Sequence, residues 1–179
     1  MSLLLAQPKS VKYCLSLGAS PNASSPSGNT VMQRAVSYAQ LDIIKLLVQH
    51  GAIIQDTNLL PHAVLGDIEA QTQTQNPVSE GRLDVIHYVL DHGALINAFY
   101  DDTLNADVPC GEKVMYGKMT ALHFAIVGGK KHLVQLLLER GADKDVETWS
   151  AWKTRGRIVG CVELARICGF GEIAEMLEA

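Results

Sequence analysis

The four cysteines, Cys14, Cys110, Cys161 and Cys168, include no Cys-x-x-Cys pair. That spacing is what structural zinc sites and dithiol redox motifs use, so neither is expected. Excess positive charge is also missing. Lys and Arg number 15 against 19 Asp and Glu, for a net charge of -4. A nucleic-acid surface needs the opposite balance, so no nucleic-acid partner is predicted. Long apolar runs are absent. Met1-Ser2-Leu3-Leu4-Leu5-Ala6-Gln7 is closed at once by Pro8 and Lys9, too short for a signal-peptide core or a bilayer span. No phosphate loop, kinase set, nucleophile elbow or metal-ligand spacing occurs. These absences predict a reduced, cytoplasmic protein with no membrane segment, no cofactor and no metal.

What is present is repetition. Tyr13-Cys14-Leu15-Ser16-Leu17-Gly18-Ala19 returns as Leu46-Leu47-Val48-Gln49-His50-Gly51-Ala52. It returns again as Tyr88-Val89-Leu90-Asp91-His92-Gly93-Ala94 and as Leu136-Leu137-Leu138-Glu139-Arg140-Gly141-Ala142. The glycines are 33, 42 and 48 residues apart, a period of 33 with additions of nine and fifteen. A fixed period of this size means stacked supersecondary units. Before each glycine, apolar residues recur at helical spacing: Ile43, Ile44, Leu46 and Leu47, then Val85, Ile86, Tyr88 and Val89, then Leu133, Val134, Leu136 and Leu137. They form one face of a helix, and the glycine stops it in a left-handed backbone. A second phrase opens each unit. Thr30 and Thr120 both stand 21 residues before the closing glycine. A threonine there N-caps a first helix, and a histidine three residues on bonds back to it.

Thr120-Ala121-Leu122-His123-Phe124-Ala125, Gly129, and Leu133 through Asp143 together resemble the ankyrin repeat. Ala121 stands where the family prefers proline, and Gln33 stands in the usual histidine position of the unit over 28–56. Asn58-Leu59-Leu60-Pro61-His62-Ala63 is a weaker first helix. Gly160 to Leu177 reads as a final unit, with Glu172, Glu175 and Glu178 as its polar cap. The resemblance implies an all-α ankyrin-repeat solenoid with elongated hairpin and loop insertions. Its parts are a partial first unit over 1–27, a unit over 28–56, a unit over 57–97 with an insertion at about 67–80, a unit over 117–145 and a capping unit over 160–179. Leu3, Leu4, Leu5 and Val11 either curl onto the next unit or form an exposed edge that docks a second copy as a homodimer.

Insertions mark where function sits in such stacks. The segment 67–80, with Gln71-Thr72-Gln73-Thr74-Gln75-Asn76-Pro77, is polar and aperiodic and reads as a solvated loop. The links at 97–117 and 143–159 are also enlarged, and in the ankyrin family such links form hairpin fingers beside a concave groove. Together they hold Phe99, Tyr100, Tyr116, Trp149 and Trp152, five of only ten aromatics in the chain. Loop aromatics beside charge are the composition of binding hot spots. The expected partner-binding set is Tyr38, Phe99, Tyr100, Asp101, Asp102, Tyr116, Val127, Trp149, Trp152 and Arg155. Two other arrangements compete with it: the tryptophans packing back as a satellite core, and the aspartates pairing with Arg155 and Arg157.

The expected function is a non-catalytic protein-interaction module with a protein or peptide partner. A second possibility is a binder of a small hydrophobic molecule, or an unusual enzyme, using His62, Tyr100, Asp101, Tyr116 and Arg155. No spacing demands such catalysis. His50 and His92 suit helix C-termini, His123 suits the capping phrase, and Cys14, Cys161 and Cys168 read as small core residues.

Overall fold

The recurring Gly-Ala pair is the stop of each second helix. Gly18, Gly51, Gly93 and Gly141 all adopt left-handed backbone, at φ of 86°, 88°, 89° and 88°. The next alanine's amide reaches back five residues, from Ala52 to the Leu47 carbonyl at 3.0 Å and from Ala142 to Leu137 at 2.9 Å. This six-to-one bond is the Schellman motif, which satisfies carbonyls that a helix end leaves open. A Cβ added at Gly141 meets no atom within 4 Å, so an alanine there bears only the left-handed strain. Gly141→Ala is expected to cost about 1 kcal/mol. An unchanged urea midpoint would contradict that.

The structure is a computed structural model. It describes residues 8–26, 28–38, 41–54, 58–74, 82–100, 118–149, 154–155 and 157–179, with the backbone alone for 69–74 and 149. The fold is all-α, in two-helix repeats with short strand pairs in the links. The chain divides into two compact units, Met1–Leu95 and Ile96–Ala179. Among the described residues, no helix is long and apolar enough to cross a membrane.

The first unit holds α1 (Pro8–Ser16), α2 (Val31–Tyr38), α3 (Leu41–Gln49), α4 (Leu59–Thr74) and α5 (Leu83–Asp91). First helix packs on first helix, α2 on α4, while the second helix α3 lies between α1 and α5. Met32, Ala35, Val36, Ile43, Ile44, Leu47, Leu59, Leu60, Val85, Ile86 and Val89 fill the interior. Their burial shields apolar stripes that no single repeat can cover alone. Val11, on α1, is buried as well; the leucines at 3–5 lie outside the described residues.

The departure at Gln33 keeps the capping function. The Thr30 amide donates to Gln33 Oε1 at 2.6 Å, and the Gln33 amide donates to Thr30 Oγ1 at 3.1 Å. Gln33 Nε2 then donates to Asn58 Oδ1 at the start of the next repeat. Asn22 links repeats on the loop side, donating to the Gly51 carbonyl at 2.8 Å and accepting from the Ile53 amide at 2.9 Å.

The loop expected over 67–80 is partly helix, because α4 runs on to Thr74. The reason is the absence of a stop. In α6 and α8 the first helix ends at a left-handed glycine, Gly129 with φ 65° and Gly169 with φ 82°. Counted from the start of its repeat, α4 has Asp67 at that position. Asp67 and its successors tolerate helical backbone, so the helix continues.

The second unit holds β1 (Phe99–Tyr100), β2 (Met119–Thr120), α6 (Ala121–Val127), α7 (Lys131–Glu139), β3 (Thr148–Trp149), β4 (Ile158–Val159), α8 (Cys161–Ile167) and α9 (Gly171–Glu178). α6 pairs with α7, α8 with α9, and α6 with α8. Phe124, Ile126, Leu133, Val134, Leu137, Leu164, Ile173 and Leu177 form its core.

Candidate functional site

Both enlarged links of the second unit rise from paired strands. β1 and β2 are antiparallel, with Phe99 opposite Thr120 and Tyr100 opposite Met119. β3 and β4 are antiparallel, with Thr148 opposite Val159 and Trp149 opposite Ile158. Successive strand residues point to opposite sides. Tyr100, Met119, Thr148 and Val159 therefore turn inward, while Phe99, at 42% exposure, and Ile158, at 67%, turn outward.

Hydrogen bonds across repeats hold the two stems. The Thr148 hydroxyl donates to the Lys118 carbonyl at 2.7 Å, and the Asp143 amide donates to Asn97 Oδ1 at 2.9 Å. His123 supplies the deepest tie. Its Nδ1 accepts from the Thr120 amide at 3.0 Å, and its Nε2 lies 3.0 Å from the Val146 carbonyl. Nδ1 is thus the acceptor and Nε2 carries the proton. Burial pushes the His123 pKa down to about 4, against a smaller upward pull from the Val146 carbonyl. A second proton would also have to displace the Thr120 amide.

Cys161 Sγ lies 3.6 Å from His123 Nε2, a spacing that suggests a thiol–imidazole nucleophile pair. The burial of both groups argues the opposite. Burial, reinforced by the charges of Asp143 and Asp145, pushes the Cys161 pKa up to about 12. An activated cysteine needs a lowered pKa and access, whereas Cys161 and His123 are both buried. The pair is framework that fixes the base of the second finger.

Beyond that base, the Thr154 hydroxyl donates to the Arg157 carbonyl at 2.6 Å and the Arg157 amide donates to the Thr154 carbonyl at 3.0 Å. Arg155 between them has φ 52°, an uncommon backbone for a residue with a side chain, and is exposed. Arg157 faces Glu163 at 3.7 Å. Lys118 Nζ lies 6.0 Å from the centre of the Phe99 ring. Phe99, with Lys118 near its ring, is exposed on the first stem, and Ile158 and Arg155 are exposed on the second finger.

Of the expected contact residues, Phe99 and Arg155 are exposed. Tyr100 is corrected: it is only 6% exposed, and its ring meets Phe124 edge-on at 5.4 Å. It serves the core because strand alternation turns it away from Phe99's side. Val127 is half-buried at the end of α6, and Trp149 has its backbone in β3. Tyr38 belongs to the first unit, where it is 59% exposed beneath the Arg34 guanidinium at 5.3 Å. His62 is buried in α4 of that unit, unlike the accessible base that the catalytic alternative requires. Asp101, Asp102, Tyr116 and Trp152 lie outside the described residues. Ile158 and Lys118 were not anticipated. The signal for Ile158 was its place beside Val159, since only one of two adjacent strand residues can face the core.

Stacked two-helix repeats, closed by Gly-Ala and linked by hairpins, define a helical repeat protein. Residues 5–59 match the family of ankyrin repeats in many copies, and residues 118–149 match the single ankyrin repeat. The chain belongs to the ankyrin-repeat family, whose repeats are in general protein-interaction modules. No curated protein matches the chain.

Proposed function

We propose that the protein is a non-catalytic interaction module that grips a protein partner with the fingers of its second unit and the adjoining ends of the first helices. The observation that carries this reading is the exposure of two apolar side chains, Phe99 on one stem and Ile158 on the other, with Lys118 near the Phe99 ring and Arg155 exposed in the second finger. Exposed apolar groups on stems tied by hydrogen bonds supply contact area without a large ordering cost on binding. The tryptophans at 149 and 152 add to the same finger in sequence. A cytoplasmic location fits the thiols of Cys14 and Cys161, which form no disulfide.

The test compares proteins captured by the parent chain with those captured by a Phe99→Ser/Ile158→Ser variant and a Trp149→Ala/Trp152→Ala variant. Each should weaken capture of the same partner at least about tenfold, an ordinary hot-spot effect, with the helical signal unchanged. Undiminished capture by both folded variants would overturn the finger site.

A further inference from the structure

The second helices of the first unit carry a cluster of lysines that enters no ion pair among the described residues. Six residues before the closing glycine stand Lys12, Lys45 and His87, on α1, α3 and α5. One residue later stand Tyr13, Leu46 and Tyr88. Equivalent positions of stacked repeats are neighbours, so a basic row runs beside an apolar one. Lys45 Nζ lies 5.7 Å from the centre of the Tyr88 ring. Tyr13 is 65% exposed. Between α1 and α3 lies an open depression of about 400 Å³, with Pro8, Lys9, Lys12, Asp42, Lys45 and Leu46 in its wall. Three ammonium groups face one carboxylate there.

Three cations of the second unit are paired with carboxylates. Lys131 pairs with Glu172 at 2.8 Å, Arg157 with Glu163 at 3.7 Å, and Arg166 with Glu178. At the register of Lys12 and Lys45 it has Gln135 and Glu175. Among the described residues, Lys9, Lys12 and Lys45 take part in no ion pair, and residues 1–7 contain no acid. Clustered like charges repel in the free chain, and an anionic partner relieves that repulsion.

The geometry points to this face as a docking site for an acidic segment of a partner protein, with an apolar side chain seated on Pro8 and Leu46 and flanking carboxylates on the lysines. The site belongs to the first unit, whereas the fingers belong to the second. A polyanion such as RNA or a lipid surface suits it less, because the whole chain carries a net charge of -4 and the depression accepts only one or two side chains.

The experiment titrates the full chain with a fluorescent amphipathic peptide of leucine and glutamate. Parallel arms use its lysine-for-glutamate counterpart, phosphatidylserine vesicles and oligouridine RNA. The acidic peptide should bind saturably and weaken with added salt. Lys12→Glu/Lys45→Glu should reduce its affinity at least about tenfold, while the Trp149→Ala/Trp152→Ala variant leaves it unchanged. The lysine peptide should not bind. Equal binding of the acidic peptide to parent and charge-reversed chains would overturn the proposal. So would lysine-dependent binding of vesicles or RNA without peptide binding. These surface substitutions leave the core intact, and a melting curve matching the parent's verifies it.

Discussion

Acidification from pH 6.5 to about pH 4 should remove on the order of 3 kcal/mol of stability through His123 alone. The sign follows from where the proton binds. The unfolded chain takes up a proton near the ordinary value of 6.5, whereas the folded chain refuses it until about 4. The His123 contribution is therefore complete above 6.5 and is lost as the pH falls toward 4. A non-titrating replacement isolates it. Gln33 fills the same role at Thr30, accepting from the Thr30 amide through Oε1 and donating onward through Nε2. His123→Gln should fold, lose no more than about 1 kcal/mol at neutral pH, and show a flatter stability profile below pH 6.5. Urea midpoints measured across this range decide the matter. If the Gln variant falls as steeply as the parent, His123 is not the acid-sensitive group.

Gly66→Ala should be strongly destabilising, although the substitution usually favours a helix. The helix-propensity gain from glycine to alanine is about 1 kcal/mol. Against it, a Cβ at Gly66 would stand 2.2 Å from the Ser37 carbonyl oxygen and 2.9 Å from the Ser37 Cα. Both atoms are backbone, so no rotamer change relieves the overlap, and α2 and α4 must move apart. Forcing extra volume into a packed contact costs about 1–3 kcal/mol where side chains can adapt, and a backbone contact adapts less. We expect a net loss of about 3 kcal/mol. Gly171→Ala is the control. A Cβ there meets nothing within 4 Å, and the change should be neutral or slightly stabilising. Equal midpoints for the two variants would show that α2 and α4 do not touch through Gly66.

The scaffold was legible because its signals are local and repeated. A Gly-Ala stop, a capping threonine and apolar helical spacing each depend on a few neighbouring residues, and each recurs. The extension of α4 was legible in retrospect, through Asp67 standing where Gly129 and Gly169 end α6 and α8. The polar composition over 67–80 masks the missing stop. The candidate site was less legible. Tyr100 and Phe99 are adjacent, and composition cannot say which one a strand turns inward. The pairing of β1 with β2 decides that, through contacts far apart in sequence. Lys12 and Lys45 look like ordinary solvated lysines on separate helices. Only stacking makes them a row, and among the described residues neither enters an ion pair.

The most direct test of the finger account is a hydrogen-exchange footprint of the complex with the captured partner. Amides at 97–100, 118–120 and 146–159 should exchange more slowly in the complex than in the free chain. A complex in which those segments exchange at unchanged rates would contradict it.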